Sequence, residues 1–259
     1  MKPGDFFRKT SIVFLFAGLV TAAVGQSSAP STPALRPVLV ELFTSEGCSS
    51  CPPADELLKQ MDGKRTEEGQ VIIGLSEHVT YWNHEGWSDP FSQSVFTDRQ
   101  NVYGQRFHLD SVYTPQMVVD GVEQVSGGNV NAVLHALHDQ DRPEAMVLHI
   151  DSVALADKKL GVTFSVTGQT VGKGVDIFAV IAENAATSNV LRGENGGHTL
   201  NHVSVARNMV RVARVKASGT VTVSLPDSAQ IAAGSGRHLV LFAQENGQGR
   251  ILAADHKDL

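Results

Sequence analysis

Cysteine is scarce in this sequence of 259 residues, which contains only Cys48 and Cys51. A single pair three residues apart cannot build the disulfide framework that stabilises many small secreted domains. Positive charge is scarce as well, with 21 lysines and arginines against 27 aspartates and glutamates and a net charge of −6. Proteins that bind duplex nucleic acid normally carry a basic excess or stripe. We therefore expect no nucleic acid partner.

The remaining composition is that of an ordinary globular protein. Hydrophobic residues make up 42% of the chain, charged residues 19% and aromatic residues 6%. These fractions exclude a wholly disordered chain, a collagen and a multi-pass membrane protein. At roughly 100–200 residues per domain, the length fits one large domain or two small ones.

Residues 1–25 have the features of a secretory signal peptide. A positive start (Lys2, Arg8 and Lys9) precedes an apolar run over residues 12–24, which is too short to span a bilayer comfortably. Small residues at 23–25 provide a cleavage site before Gln26, and an uncleaved N-terminal anchor is the alternative. Residues 26–37, rich in Ser, Ala and Pro, are predicted to form a flexible leader. We expect an exported protein, periplasmic or secreted, with no stable membrane insertion after cleavage, and therefore an oxidising environment.

The two halves of the mature sequence differ in their hydrophobic periodicity. In residues 38–143, strands are predicted at 38–43, 71–75 and 116–119, with a hairpin to 123–125, and helices at 55–61, 92–107 and 130–137. In residues 144–259, strands are predicted at 146–155, 160–166, 175–183, 203–215, 220–225, 238–244 and 250–254. The first order is typical of an α/β domain and the second of an antiparallel β-sandwich, so we place a domain boundary at 143–144.

The two cysteines lie in the segment Cys48-Ser49-Ser50-Cys51, directly after a predicted buried strand and directly before a predicted helix. A helix N-terminus carries unpaired N–H groups and a partial positive charge, which stabilise a thiolate. We therefore expect Cys48 to be the attacking thiolate and Cys51 to resolve the mixed disulfide. The two prolines that follow fit the first turn, because its N–H groups have no partner within the helix.

A purely structural disulfide is the main alternative for this pair. It would close a loop of about four residues and contribute roughly 2 kcal/mol, less than a long-range crosslink gives. A structural zinc site needs four ligands, and the sequence has no second cysteine pair. Copper or zinc could instead be bound by the cysteines together with His78, His84 and His108, although this spacing matches no known ligand template. We predict no metal site and no cofactor.

A proline precedes the third predicted strand, in the dipeptide Thr114-Pro115. Proline at the start of a central strand is tolerated only at a special position, and a cis bond there would form a tight turn. An ordinary trans proline at a strand edge is the alternative.

Residues 38–141 resemble the thioredoxin-like superfamily in the order of strand, CxxC, helix, strand, helix, X-Pro hairpin and final helix. In that family the proline is cis and packs beside the cysteine pair, and the residue before it pairs with substrate. The resemblance implies these roles for Pro115 and Thr114. More closely, segments 42–55 (with the CSSCPP motif), 113–121 and 192–195 are similar to an exported bacterial family of unknown function with a thioredoxin-like fold. We therefore expect an α/β thioredoxin-like N-terminal domain followed by a mainly antiparallel β-sandwich-like C-terminal domain.

Several other residues are candidates for supporting roles. Glu41 approximates the buried strand acid of thioredoxin, but its loop to the cysteines is one residue longer, so a local ion pair or hydrogen bond is the alternative. The long loop after the second strand contains Trp82 and Trp87, which either wall a pocket beside the cysteines or pin the loop to the body. In the first case, His78 or His84 would lie near the thiolate.

These features together predict an exported thiol–disulfide oxidoreductase-like protein that uses a CxxC pair. Its expected partners are protein thiols or disulfides and a membrane-bound redox partner. Two other functions stay open. One is a non-catalytic envelope binding module in which the disulfide is structural, and the other is a copper- or zinc-handling protein.

Overall fold

The computed structural model describes residues 36–138, 146–156, 159–168, 174–215, 219–225 and 236–259. Within these ranges the chain forms eleven strands and three helices. In order, they are β1 (Val38–Thr44), α1 (Pro52–Met61), β2 (Ile72–His78), α2 (Ser94–Arg106), β3 (Gln116–Val119), β4 (Glu123–Ser126), α3 (Val130–His138), β5 (Met146–Ala156), β6 (Lys159–Gly168), β7 (Val175–Asn189), β8 (Thr199–Val215), β9 (Gly219–Leu225), β10 (Arg237–Glu245) and β11 (Ile251–Asp258).

Eight of the strands form one mixed sheet, in the order β11-β10-β7-β8-β2-β1-β3-β4. Strand β1 is parallel to β2 and antiparallel to β3, and β8 joins β2 in parallel where Ser76 pairs with Val205. The predicted fold class, an α/β thioredoxin-like domain followed by a separate β-sandwich-like domain, is therefore wrong. Strands from both halves of the chain share one sheet, because the free edge of β2 is taken by β8. The other sheet has only three strands, β5-β6-β9.

The individual elements agree with the sequence patterns better than the assembly does. All seven residues of β1 and of β2 are buried, as expected for apolar strands covered on both faces. Helices α1 and α3 pack on one face of β1 through a cluster that includes Val40, Leu42 and Leu58. On the other face, Leu39 and Phe96 belong to a second cluster, so α2 covers the opposite side. The apolar strand and helix patterns thus predicted local structure correctly.

Two groups of sequence predictions fall partly or wholly outside the described ranges. The signal peptide at 1–25 and nearly all of the leader at 26–37 lie there, as does the domain boundary at 143–144. These limits stay predictions. Within the described part of the chain, none of the helices is both long and apolar enough to cross a membrane.

The long hairpin of β7 and β8 joins the second half of the chain to the first, because β8 lies beside β2 in the same sheet. These strands have 15 and 17 residues and pair from Val175 with Val215 to Asn189 with Thr199. At about 3.3 Å per residue, such strands are roughly 50 Å long. The connecting β7–β8 loop, residues 190–198, lies beside the segment between β1 and α1, as the contacts below show.

Candidate functional site

A disulfide joins Cys48 and Cys51 at the junction between β1 and α1. Both cysteines are 0% exposed, whereas Ser49 and Ser50 between them are exposed. Cys51 caps α1, and its carbonyl oxygen accepts hydrogen bonds from the backbone of the first helical turn. The sulfurs therefore lie at the positive end of the helix dipole, just beneath the surface.

Trp82 connects the start of this segment to Thr114. Its indole Nε1 donates a hydrogen bond of 2.7 Å to Thr114 Oγ1. Its Cβ also packs so tightly on Gly47, the residue before Cys48, that a Cβ on the glycine would lie 3.0 Å away. The backbone at position 47 thus lies so close to Trp82 that a residue with a side chain would not fit without a shift.

Pro115 lies next to the N-terminal end of α1. Its peptide bond with Thr114 is cis. Gly127 is wedged between the two elements, since a Cβ there would lie 3.0 Å from Ala54 Cβ and 3.2 Å from Pro115 Cβ. Trp82 and Gly127 therefore bring Thr114 and Pro115 to the side of the sheet where the disulfide lies.

The β7–β8 loop covers the other side of the disulfide. The side-chain amide of Asn195, which is buried, donates hydrogen bonds to the carbonyl oxygens of Glu46 (2.9 Å) and Cys48 (3.0 Å). Glu194 Oε2 accepts a hydrogen bond of 2.9 Å from the backbone N–H of Ser49. From the sequence, the polar loop at residues 194–202 is expected to form a solvated turn, with contact to the redox face as the alternative, and the structure shows that Glu194 and Asn195 make this contact.

Trp87 and Gly193 join this loop to the long loop that follows β2. Gly193 has a φ of +79°, and a Cβ there would lie 3.1 Å from the carbonyl oxygen of Glu85 and 3.2 Å from Trp87 Cβ. The Trp87 indole Nε1 donates a hydrogen bond of 2.7 Å to Glu46 Oε2. Trp87 thus holds the loop in place and also binds an acid two residues before Cys48.

Glu46 is the centre of a buried polar cluster that the sequence did not reveal. Its carboxylate accepts a hydrogen bond of 3.2 Å from Ser188 Oγ, and His202 Nε2 lies 3.3 Å from Glu46 Oε1. The other ring nitrogen of His202, Nδ1, lies 3.8 Å from Asp55 Oδ1 in the first turn of α1. Burial favours the neutral ring, but the carboxylates of Asp55 and Glu46 outweigh it and raise the pKa of His202 to about 9.

His78 and Asp89 form a second buried pair beside this cluster. His78 Nδ1 lies 2.7 Å from Asp89 Oδ2, which also accepts a hydrogen bond of 2.8 Å from the backbone of Glu46. Burial alone would raise the pKa of Asp89, but His78 and the backbone donors lower it. The rings of His78 and His202 meet edge to face, 4.7 Å between centroids. His84 is exposed instead.

Glu41 faces α2. Arg99 Nε donates a hydrogen bond to Glu41 Oε1, and the Tyr103 hydroxyl donates one of 2.6 Å to Oε2. Glu77 is fully buried nearby, 3.9 Å from Arg99 Nε, and neither of its oxygens has a hydrogen-bond partner among the described residues. Burial and the adjacent Glu41 raise the pKa of Glu77 well above its ordinary value, which favours a neutral acid. Both oxygens of Glu41 are thus engaged by α2.

Metal ligation receives no geometric support in the described ranges. No group of three or more His, Cys, Asp or Glu side chains there is placed to hold a metal ion. His78 and His84 differ in surroundings, since one is buried against Asp89 and the other is exposed.

Comparisons with known proteins give a family and a fold. A family model described as "Protein of unknown function (DUF1223)" matches residues 39–244. An X-ray crystal structure of a protein from Agrobacterium tumefaciens is 26% identical, with a TM-score of 0.64, over 87% of this chain and 96% of that one. HBP35 of Porphyromonas gingivalis is 17% identical, with a TM-score of 0.57, over 86% of this chain and 75% of that one, and shows a similar fold. No curated protein matches the sequence.

Proposed function

The chain belongs to this family of unknown function, DUF1223, and we propose that it is an exported thiol–disulfide oxidoreductase whose redox pair is Cys48 and Cys51. The observation that carries the proposal is the disulfide itself, which joins these residues where β1 ends and α1 begins. A thiolate formed there is stabilised by the positive end of the dipole of α1. A redox pair needs this stabilisation in one of its two thiols, because the thiolate is the nucleophile.

The exchange itself is a transfer between sulfur atoms. A thiolate of a partner protein attacks Cys48 Sγ, the bond between the cysteines breaks, and Cys51 leaves with the electron pair and takes up a proton. A second partner thiolate then attacks the partner sulfur of the mixed disulfide, and Cys48 leaves as a thiolate. The partner is oxidised and the protein is reduced. The reverse sequence reduces a partner disulfide, and no organic cofactor takes part.

Substrate would approach on the side of Ser49 and Thr114. Ser49 and Ser50 are exposed, and Thr114, half-buried under Trp82, lies at the neighbouring edge. An extended partner chain could pair with the backbone before Pro115 and bring its sulfur over Cys48. The proposed partners are protein thiols or disulfides and a membrane-bound redox protein that resets the pair.

Export is part of the same proposal. The predicted signal peptide supports it, and so does a disulfide in the folded chain, because such bonds persist in oxidising compartments and are rare in the cytosol.

A structural disulfide in a non-catalytic binding module is the second candidate. It is favoured by one observation: both cysteines are 0% exposed, and the β7–β8 loop is hydrogen-bonded over them. In this case Asn195 and Glu194 would keep the β7–β8 loop permanently closed over the disulfide, and no substrate would reach the sulfurs.

Two measurements on the mature protein separate the candidates. An oxidoreductase reduces insulin in the presence of dithiothreitol, loses this activity in Cys48→Ser, and keeps it in Glu67→Gln, a change at an exposed position between α1 and β2. The reduction potential of the pair should also lie above about −300 mV. Equal insulin reduction by wild type and Cys48→Ser, or a potential well below that value, contradicts the proposal and favours a structural bond.

A further inference from the structure

A narrow crevice lies between the first turn of α1 and the start of β8. Its volume is about 170 Å³, and it is lined by Pro52, Asp55, Glu56 and residues 199–202. Asp55 and His202 are buried, with side chains 6% and 1% exposed, yet both border this opening. A polar crevice of this size holds several water molecules. It therefore offers a solvent path to an otherwise buried part of α1.

Two buried polar atoms that face each other in the crevice make no hydrogen bond in the described structure. Asp55 Oδ1 and His202 Nδ1 make no hydrogen bond, and 3.8 Å separates them. An unpartnered buried polar atom costs about 1–3 kcal/mol. Such atoms mark a place where a proton or a water molecule binds.

Asp55 shares a helix face with Cys51. The two residues are four positions apart, and the backbone N–H of Asp55 donates a hydrogen bond of 3.1 Å to the carbonyl oxygen of Cys51. Side chains at this spacing in a helix are neighbours, about 5–6 Å apart at Cβ. Cys51 has no exposed surface of its own, whereas Asp55, one helical turn further along α1, lines the crevice.

His202 lies behind Asp55 and is surrounded by charged groups. Glu46, at the end of β1, contacts its Nε2, and Asp55 of α1 faces its Nδ1. From β2 and the following loop, His78 and its partner Asp89 face the ring edge. With a pKa raised to about 9 by the flanking carboxylates against the effect of burial, His202 carries a proton at neutral pH. The positively charged ring of His202 therefore lies next to the carboxylate of Asp55.

We propose that Asp55 accepts the proton of the Cys51 thiol when the disulfide closes and returns it when the disulfide opens, with His202 as its positioning residue. This inference rests on the proposed function, since it concerns the same redox pair.

The closing step forms the bond between Cys51 and Cys48 and breaks the bond between Cys48 and the partner sulfur. Cys48 carries a mixed disulfide, the Cys51 thiol gives its proton to Asp55 Oδ1 directly or through one water, and the Cys51 thiolate attacks Cys48 Sγ. The bond to the partner sulfur breaks, and that sulfur leaves as a thiolate with the electron pair. The pair is oxidised and the partner is reduced, and the proton on Asp55 passes to solvent through the crevice.

An aromatic disulfide that releases a coloured thiolate, dithiobis(nitrobenzoate), resolves this step. Added to reduced mature protein in a stopped-flow instrument, it gives one equivalent of thiolate when Cys48 attacks and a second when Cys51 closes the bond. We expect the second phase of wild type to change less than about threefold between pH 6 and 8. In Asp55→Asn it should rise about tenfold per pH unit, because the thiol then ionises only near its ordinary pKa of about 8.5.

Matched variants isolate the effect. Glu67→Gln removes an exposed carboxylate that does not line the crevice and should leave the second phase as in wild type. His202→Gln should steepen the pH profile in the same direction as Asp55→Asn while leaving the first phase intact.

Each outcome decides the inference. A wild-type second phase that already rises tenfold per pH unit overturns it without any variant, even if Asp55→Asn does not fold. An unchanged profile in folded Asp55→Asn also overturns it, while insulin reduction by wild type would leave the proposed function in place. Reduced wild type that releases no coloured thiolate overturns both.

Discussion

Asn195 Nδ2 lies 3.0 Å from the carbonyl oxygen of Cys48, although the two residues are 147 positions apart in the chain. The same amide group also binds the carbonyl oxygen of Glu46, so one side chain from the second half of the protein fixes the backbone on both sides of Gly47. The β7–β8 hairpin, which is distant in sequence, thus holds the disulfide segment in place.

Asn195→Ala should loosen the cover over the disulfide. It leaves the carbonyl group of Glu46 without the Asn195 donor and leaves that of Cys48 with only the backbone N–H of Cys51, which should lower the free energy of unfolding by about 1–3 kcal/mol. The rate at which dithiothreitol reduces the disulfide should rise, because Cys48 becomes accessible. Urea unfolding and thiol release measure the two effects. Asn201→Ala, at an exposed position on β8, is the control, and equal reduction rates in both variants would contradict the prediction.

Gly193→Ala should separate the β7–β8 loop from the loop that carries Trp87. The glycine has φ +79°, and the added Cβ would lie 3.2 Å from Trp87 Cβ. Gly197→Ala is a matched control, since its φ is +86° but nothing lies within 4 Å of the added Cβ. Both variants carry the cost of a left-handed alanine, about 1 kcal/mol. Only Gly193→Ala should lower stability further and change the fluorescence of Trp87, and identical melting temperatures would argue against this contact.

Glu77→Gln should change how stability depends on pH. The pKa of Glu77 is raised in the folded state by burial and by Glu41, so the folded protein retains a proton that the unfolded chain releases above its ordinary value of 4.5. Wild type therefore loses stability as pH rises through this window, by at most about 1.4 kcal/mol per unit.

In urea unfolding series from pH 5 to 8, the stability of Glu77→Gln relative to wild type should increase with pH. Glu67→Gln, at an exposed position, serves as the control and should run parallel to wild type. A constant difference between Glu77→Gln and wild type would show that Glu77 is ionised in the folded protein.

His202→Gln should remove a stabilising charge interaction that acts below pH 9. Because the folded pKa of about 9 exceeds the ordinary 6.5, the contribution is complete below pH 6.5 and is lost as pH rises through 9. The stability gap between wild type and the variant should shrink over this range by up to about 3 kcal/mol. Urea unfolding at pH 6 and pH 9.5 measures it, and His84→Gln, at an exposed position, should show no such trend.

The sequence was informative about elements and about the cysteine pair, but not about assembly. Apolar runs placed β1 and β2 correctly, because a strand buried on both faces needs no knowledge of its neighbours. The parallel pairing of Ser76 with Val205 depends on which distant strand reaches the edge of β2, and periodicity contains no such information. This pairing made the predicted fold class wrong.

The same limit applies to the candidate site. Cys48 and Cys51 stand out in one short segment, and Trp82 in a long loop. His202 and Asn195 are single polar residues in the distant second half. A histidine next to alternating valines in β8 looks like any outward-facing residue until the strand is paired. The residues that surround the disulfide therefore became visible only with the three-dimensional arrangement.

The length of the β7–β8 hairpin has a practical consequence for protein engineering. A gene fragment that ends at residue 143 would encode both cysteines but none of Ser188, Asn195 or His202. Such a fragment would leave the carboxylate of Glu46 without two of its neighbours and its redox segment open to water. Thiol reactivity measured on the excised piece would describe a different chemical environment from that of the intact polypeptide.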